Sequence, residues 1–329
     1  MINVTRKMLH KDLQPLRIYA LMLLSKYLCR YKWSSQLLNT LFSAKLKSGQ
    51  PPKGIAIEER YLPSSDGEAQ IRVKIYRPES MSGPLPAMLY THGGGYIIGN
   101  PDAHDDLLAQ FIDRRPCVIV APAYRTAFVK PYPAAFDDCY MTLLWMRDKA
   151  PELGIDADKL MICGHSAGGG LTAAVTLKAR DAGDVNFAFQ MPIYPMIDDQ
   201  QPTDPERQIN VVGWDTRCNA FGWKSYLKDL HDRNADIPSY AAPARNSDYR
   251  NFPPTITFVG DSEPFYWETV DYVERLKKAN VDVAFRVFDR CPHAAELLAP
   301  ESSLGQECLQ FTFDSYAEFY DRYLVRDYY

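Results

Sequence analysis

The sequence predicts an α/β protein built on a mostly parallel, eight-stranded sheet with helices on both faces and a helical cap, and three observations carry that prediction. From Pro86 onward, apolar strand-like runs alternate with helix-like segments, the pattern of parallel crossovers. One run, Leu160-Met-Ile-Cys163, passes through Gly164-His165-Ser166-Ala167-Gly168 into a helix-like segment beginning at Leu171, so strand, sharp turn and helix follow without a break. Residues 195–250, rich in Asp, Pro, Asn and aromatic side chains, lack that rhythm and are too long for a plain loop in a compact domain.

Taken from the N-terminus, Leu13, Leu16, Ala20, Leu23, Leu24 and Tyr27 fall on one helical face and mark an amphipathic helix of the folded protein. The apolar run Ile18 to Leu24, preceded by Arg6, Lys7 and Lys11, faintly imitates a signal peptide, but it is closed by Lys26 and Arg30 and lacks a small-residue cleavage site. No run approaches the roughly 20 residues of a membrane span. Stable membrane insertion is therefore not expected, with transient membrane contact through this helix as the alternative reading.

A second helical pattern at Leu37, Leu38, Leu41, Phe42 and Leu46 ends at Ser48-Gly-Gln-Pro-Pro-Lys-Gly54. Strand signals at Ile55–Tyr61 and at Ile71, Val73 and Ile75 flank a turn at Pro63-Ser-Ser-Asp-Gly67, which predicts an antiparallel hairpin at a sheet edge. Strands at 87–90, 117–120, 160–163, 187–193, 255–259 and 281–288 alternate with helices at 102–112, 134–147, 265–278 and about 303–324, and a helical piece near 221–231 lies in the excursion. The division that results has 1–50 and 195–250 as two parts of a cap, with 51–194 and 251–329 as two parts of the sheet core.

Composition excludes several classes. The 37 basic and 41 acidic residues give a net charge of −4 without long like-charged blocks, so no nucleic-acid partner is expected. The seven cysteines are odd in number and show neither C-x-x-C pairs nor zinc spacing, which points to a reduced, cytoplasmic setting.

The chemistry-bearing residues come in a definite order. Ser166 lies at the centre of G-x-S-x-G, where the glycines let a sharp strand-to-helix turn form without Cβ collisions. Upstream, the strand at 87–90 runs into His92-Gly93-Gly94-Gly95-Tyr96, residues that can bring backbone N–H groups close to a developing oxyanion. Gly94, Gly95 and Ala167 are the expected donors, with Gly93 shaping the turn. A phosphate-binding glycine loop would need a following Lys-Ser/Thr, which is absent. Of six histidines, His293 in Cys291-Pro-His-Ala-Ala-Glu296 follows the last strand signal, as a general base facing Ser166 should. The acid should leave the strand at 255–259, where Gly260-Asp-Ser-Glu-Pro264 offers Asp261 and Glu263; spacing and the following proline favour Glu263.

With HGGG and x-x-x-G, then G-x-S-A-G-G, an acid-Pro loop and a Pro-His loop, the chain resembles the hormone-sensitive-lipase-like esterases of the α/β-hydrolase fold. The resemblance extends to Tyr124-Arg125, Pro131-Tyr-Pro-Ala-Ala135 and Tyr240-Ala-Ala-Pro-Ala-Arg245. It implies a serine esterase acting on short- to medium-chain acyl esters, with no metal or cofactor, and a cap built from the N-terminal helices and the excursion. The chain departs from the family in having His165 where Asp usually precedes the serine, Glu263-Pro264 in place of Asp-Pro, and Ala294-Ala295 in the base loop. Trp214, Phe221 and Trp223 are candidates for the acyl-pocket wall or for packing of cap on core. An amidase or peptidase on the same scaffold, and a non-catalytic small-molecule receptor, are the rival readings, and the sequence allows either a monomer or a homodimer.

Overall fold

The computed structural model describes residues 1–37 and 52–325. Ten strands are found among them: β1 (Ile2–Asn3), β2 (Ile55–Pro63), β3 (Gln70–Pro78), β4 (Leu85–Thr91), β5 (Val118–Pro122), β6 (Ile155–His165), β7 (Phe187–Ile193), β8 (Ile209–Asn210), β9 (Thr255–Gly260) and β10 (Val283–Phe288). Eight of these form one sheet in the order β10-β9-β7-β6-β4-β5-β3-β2. β3 alone runs against its neighbours, pairing antiparallel with both β2 and β5, so the predicted hairpin does lie at the edge. The remaining pairs are parallel. β4 and β5 read as near-continuous apolar runs because parallel strands are covered on both faces, and nearly every residue in them is buried.

The main helices around the sheet are α1 (Leu16–Leu28), α2 (Asp105–Arg114), α3 (Ala134–Asp148), α4 (Ala167–Ala182), α5 (Thr216–Tyr226), α6 (Tyr266–Lys278) and α7 (Ser303–Tyr320). α4 starts against the sheet without clearance: a Cβ at Gly168 would come within 2.0 Å of the Thr91 carbonyl oxygen on β4. α5 begins five residues before the predicted 221, because the buried Asp215 carboxylate caps it by accepting from the Cys218 N–H at 2.9 Å. α7 ends at Tyr320 and continues as a π-helical turn over Asp321–Val325. Leu38, Leu41, Phe42 and Leu46 lie outside the described residues.

The N-terminal segment departs from expectation. Its first residues form the β1 strand and two 3₁₀ turns, and β1 pairs in parallel with β8 of the excursion. In α1 most of the expected apolar stripe is turned the wrong way for a core helix: Leu16, Ala20, Leu24 and Tyr27 face outward, while Leu23 packs half-buried on the core, Leu13 before the helix is buried, and Met22 and Lys26 are buried. The reason is electrostatic. Lys26 Nζ lies 3.0 Å from Asp215 and Arg30 lies 2.6 Å from the same carboxylate, so the helix rotates its cations inward onto the excursion. Gly213 N–H donates to the Met22 carbonyl at 2.9 Å and completes the tie.

Candidate active site

Ser166 sits between the end of β6 and the start of α4 with φ +59° and ψ −119°, a strained conformation that projects its hydroxyl off the sheet. The turn closes only with small neighbours: a Cβ at Gly164 would meet Thr91 Oγ1 at 2.2 Å and the Gly168 carbonyl at 2.4 Å. The Ser166 N–H is held by the Ile193 carbonyl of β7 at 3.0 Å.

The loop after β4 lies beside it. Gly94 has φ +128° and Gly95 φ +60°, both disfavoured for a residue with a side chain, and a Cβ at Gly94 would stand 2.0 Å from the Ile98 carbonyl. The N–H groups of Gly94, Gly95 and Ala167 have no hydrogen-bond partner among the described residues. Gly93 is fixed through its carbonyl, which accepts from His92 Nδ1 at 2.9 Å. Tyr124, on the loop after β5, stacks on His92 at 3.9 Å and donates to its carbonyl at 2.8 Å, which braces the loop from below.

The loop after β10 brings in His293, whose Nε2 is 2.8 Å from Ser166 Oγ. Its Nδ1 is hydrogen-bonded to Glu263 Oε2 from the loop after β9, and both side chains are buried. The other oxygen of Glu263 accepts from the Gly260 N–H at 3.0 Å. Asp261, the second candidate, does not touch His293; it accepts from the Cys291 N–H at 3.2 Å and so pins the loop that carries the histidine. Ser166, His293 and Glu263 are thus brought together, and Asp261 is left outside that contact.

A cavity of about 210 Å³ opens onto Ser166, walled chiefly by Trp214, Leu297, Leu298, Ile98, Ser25 and Cys29. Of the three aromatic candidates only Trp214 reaches it. Trp223 packs on Tyr96 and Phe221 on Phe128, so these two join the excursion to the core.

Four residues without an assigned role also gather here. Tyr194, at the carboxyl end of β7, sets its ring edge against His293 at 4.8 Å and donates its hydroxyl to Glu296 Oε1. The other Glu296 oxygen is buried without a partner among the described residues, and burial pushes this carboxyl up to about 7. His165 Nδ1 lies 3.1 Å from the Tyr90 hydroxyl, and burial pushes the imidazole down to about 3. His104, also on the cavity wall, is pushed down to about 4 by burial. Both histidines are accordingly neutral polar linings, distinct from His293 in having no carboxylate contact. The signal for Tyr194 was its place at a strand's carboxyl end, where open α/β sheets bind ligands; Glu296 follows His293 by three residues in the same loop. Among the described residues no group of His, Cys, Asp and Glu side chains is arranged to hold a metal ion.

Comparison with known proteins agrees with this architecture. Residues 88–297 match the family model described as the alpha/beta hydrolase fold. The chain is 32% identical to carboxylesterase NlhH of Mycobacterium tuberculosis over 232 residues, 70% of this chain and 72% of that one. Esterase LipI of the same organism is 31% identical over 224 residues, 66% and 69% of the two chains. Among solved structures, a bacterial heroin esterase superposes with TM-score 0.80 at 29% identity, covering 87% of this chain and 90% of that one. The chain belongs to the α/β-hydrolase fold family, in its carboxylesterase branch, and is a hydrolase of carboxylic esters.

Proposed function

We propose that this hydrolase is a serine carboxylesterase for short- to medium-chain acyl esters, working through Ser166, His293 and Glu263 and an acyl-enzyme intermediate. The observation that carries the reading is the continuous chain of contacts from Glu263 through His293 to Ser166 Oγ, ending at 2.8 Å beside three unpaired backbone N–H groups. With Nδ1–H donated to the Glu263 carboxylate, Nε2 is left as the acceptor for the serine proton. Serine Oγ then adds to the ester carbonyl, and the oxyanion falls toward Gly94, Gly95 and Ala167. Collapse expels the alcohol, which takes the proton from His293 Nε2. A water molecule repeats the addition on the acyl-enzyme, giving its proton to His293, and the acid leaves as that proton returns to Ser166.

The small, mostly apolar cavity supports a short acyl group, being below the roughly 300–1,000 Å³ of drug-sized sites. The β1–β8 pairing and the Lys26–Asp215 contact support residues 1–50 and 195–250 acting as one cap. Cytoplasmic residence is consistent with seven free cysteines, all buried. The test is hydrolysis of a p-nitrophenyl ester series from acetate to palmitate, beside matched anilides. Turnover of short esters by wild type, lost in Ser166→Ala together with labelling by a serine-directed phosphonate, is the expected result. Labelling that survives the substitution, or anilides cleaved as fast as esters, would move the nucleophile or the substrate class.

A further inference from the structure

We propose that the outward face of α1 and the helical turn after it form a docking surface for anionic lipid. The apolar stripe of α1 is built from Leu16, Ala20, Leu24 and Tyr27 at helical spacing, with Leu21 beside it, and it points away from the protein. Leu16 is 68% exposed, Leu21 57%, Leu24 55%, Tyr27 53% and, in the following turn, Trp33 68%. Of the 18 large apolar side chains exposed among the described residues, ten lie in residues 1–37, about a ninth of the chain. Singly scattered exposed apolar residues are ordinary; this concentration is not.

Charge selects the occupant. Residues 1–37 hold seven Lys and Arg against one Asp, a net charge of +6, while the rest of the chain holds 30 against 40, a net charge of −10. Lys26 and Arg30 are spent on Asp215, but Arg6, Lys7, Lys11, Arg17 and Lys32 take part in no ion pair among the described residues. Arg17 stands on α1, Arg6, Lys7 and Lys11 in the 3₁₀ turns before it, and Lys32, over the Phe128 ring, just after it; an apolar helical face bordered by such cations has the make-up of an interfacial helix, whose apolar face enters the acyl boundary while the cations meet anionic headgroups. The acidic remainder keeps the rest of the molecule off such a surface. The opposite side of the same helix supplies Ser25 and Cys29 to the cavity lining, so docking holds the cavity within about one helix diameter, ~10 Å, of the lipid. No helix among the described residues is long and apolar enough to cross a membrane, and the surface lies on the bilayer without spanning it.

Co-sedimentation of the full chain with phosphatidylcholine vesicles, with and without about 30 mol % phosphatidylglycerol, tests this. Binding at least about tenfold stronger to the anionic vesicles is expected, weakening as salt rises from about 0.1 to 1 M, with a blue shift of tryptophan emission that Trp33→Ser removes. Leu24→Ser with Trp33→Ser should reduce partitioning at least about tenfold, and Arg17→Gln with Lys32→Gln should abolish the preference for anionic lipid, both with unchanged turnover of a water-soluble ester. No binding to either vesicle, or equal binding to both, overturns the proposal. So does light scattering that finds a wild-type dimer split by Leu24→Ser and indifferent to vesicles, which would make the face a contact with a second copy.

Discussion

Glu263 and Asp261 stand two residues apart on one loop, yet they have different partners, and this difference is testable. Glu263 is buried against His293, whereas Asp261 holds the Cys291 N–H. Under the proposed mechanism, Glu263→Gln should lower kcat by about 10³- to 10⁴-fold, because a neutral amide would no longer fix the imidazole tautomer or stabilise the imidazolium. Asp261→Asn should cost less than about tenfold, since the amide oxygen still accepts from Cys291. Steady-state kinetics on one short ester separates the two, and a damaging Asp261→Asn with a mild Glu263→Gln would exchange the roles. Glu296 makes a different prediction. Burial raises its carboxyl from 4.5 to about 7. Between those values the native state keeps a proton that the unfolded chain has released, so its contribution to stability is full below the lower value and is lost as pH rises toward 7. Glu296→Gln cannot ionise, so relative to wild type it should gain on the order of 3 kcal/mol between about pH 4.5 and pH 8. Urea denaturation at the two pH values measures this, and a parallel pH dependence of both proteins would refute it.

The elements around the cavity depend on one another through a few buried contacts. Asp215 caps α5, neutralises Lys26 and Arg30 of the N-terminal segment, and precedes the α5 helix directly after Trp214, the aromatic wall of the cavity. Asp215→Ala removes a cap and leaves two cations without their carboxylate, a loss of about 3–5 kcal/mol by analogy with other broken buried pairs. Lys26→Met should cost less, because Arg30 still balances Asp215 and a thioether fills the same space. Both should raise KM more than they lower kcat, since Ser166, His293 and Glu263 are carried by the sheet and not by this assembly. Thermal denaturation and kinetics on the same samples distinguish loss of the cavity wall from loss of the catalytic geometry. Arg125, next to Tyr124 on the loop after β5, makes a buried ion pair with Asp138 of α3 at 2.8 Å.

Across the whole molecule, the site is assembled at the carboxyl edge of the sheet from the ends of β4, β6, β7, β9 and β10, five of the six successive parallel strands that run from the β10 edge to β5. Parallel order aims all five strand ends the same way, so loops far apart in sequence converge on one point. The excursion and N-terminal segment then cover that point and limit its volume. With about 210 Å³ available beside Ser166, kcat/KM should fall at least about tenfold from butyrate to dodecanoate esters. Replacing Leu298 and Leu297 by alanine should shift the optimum toward longer chains, read from the same ester series; an unchanged optimum would place the acyl group elsewhere.

Much of this was legible in the chain because it rests on local rules. Strand ends, the glycines that permit the turn at Ser166 and the close approach at Gly94, and the order of serine, acid and histidine are all encoded within a few residues of where they act. Choosing Glu263 over Asp261 was possible from loop position, but the separate task of Asp261 was not, since its partner Cys291 is thirty residues away. For Trp214, Phe221 and Trp223 the sequence left cavity wall and packing on the core both open, because composition cannot tell which aromatic of an excursion points inward. The orientation of α1 was the sharpest failure of pattern alone. Periodicity identifies an apolar stripe but not what lies opposite it, and the ion pairs from Lys26 and Arg30 to Asp215, more than 180 residues away, rotate the helix so that most of the stripe faces outward. Local backbone demands are written in adjacent residues; which face a helix buries, and which amide a second carboxylate holds, depend on partners that only folding brings near.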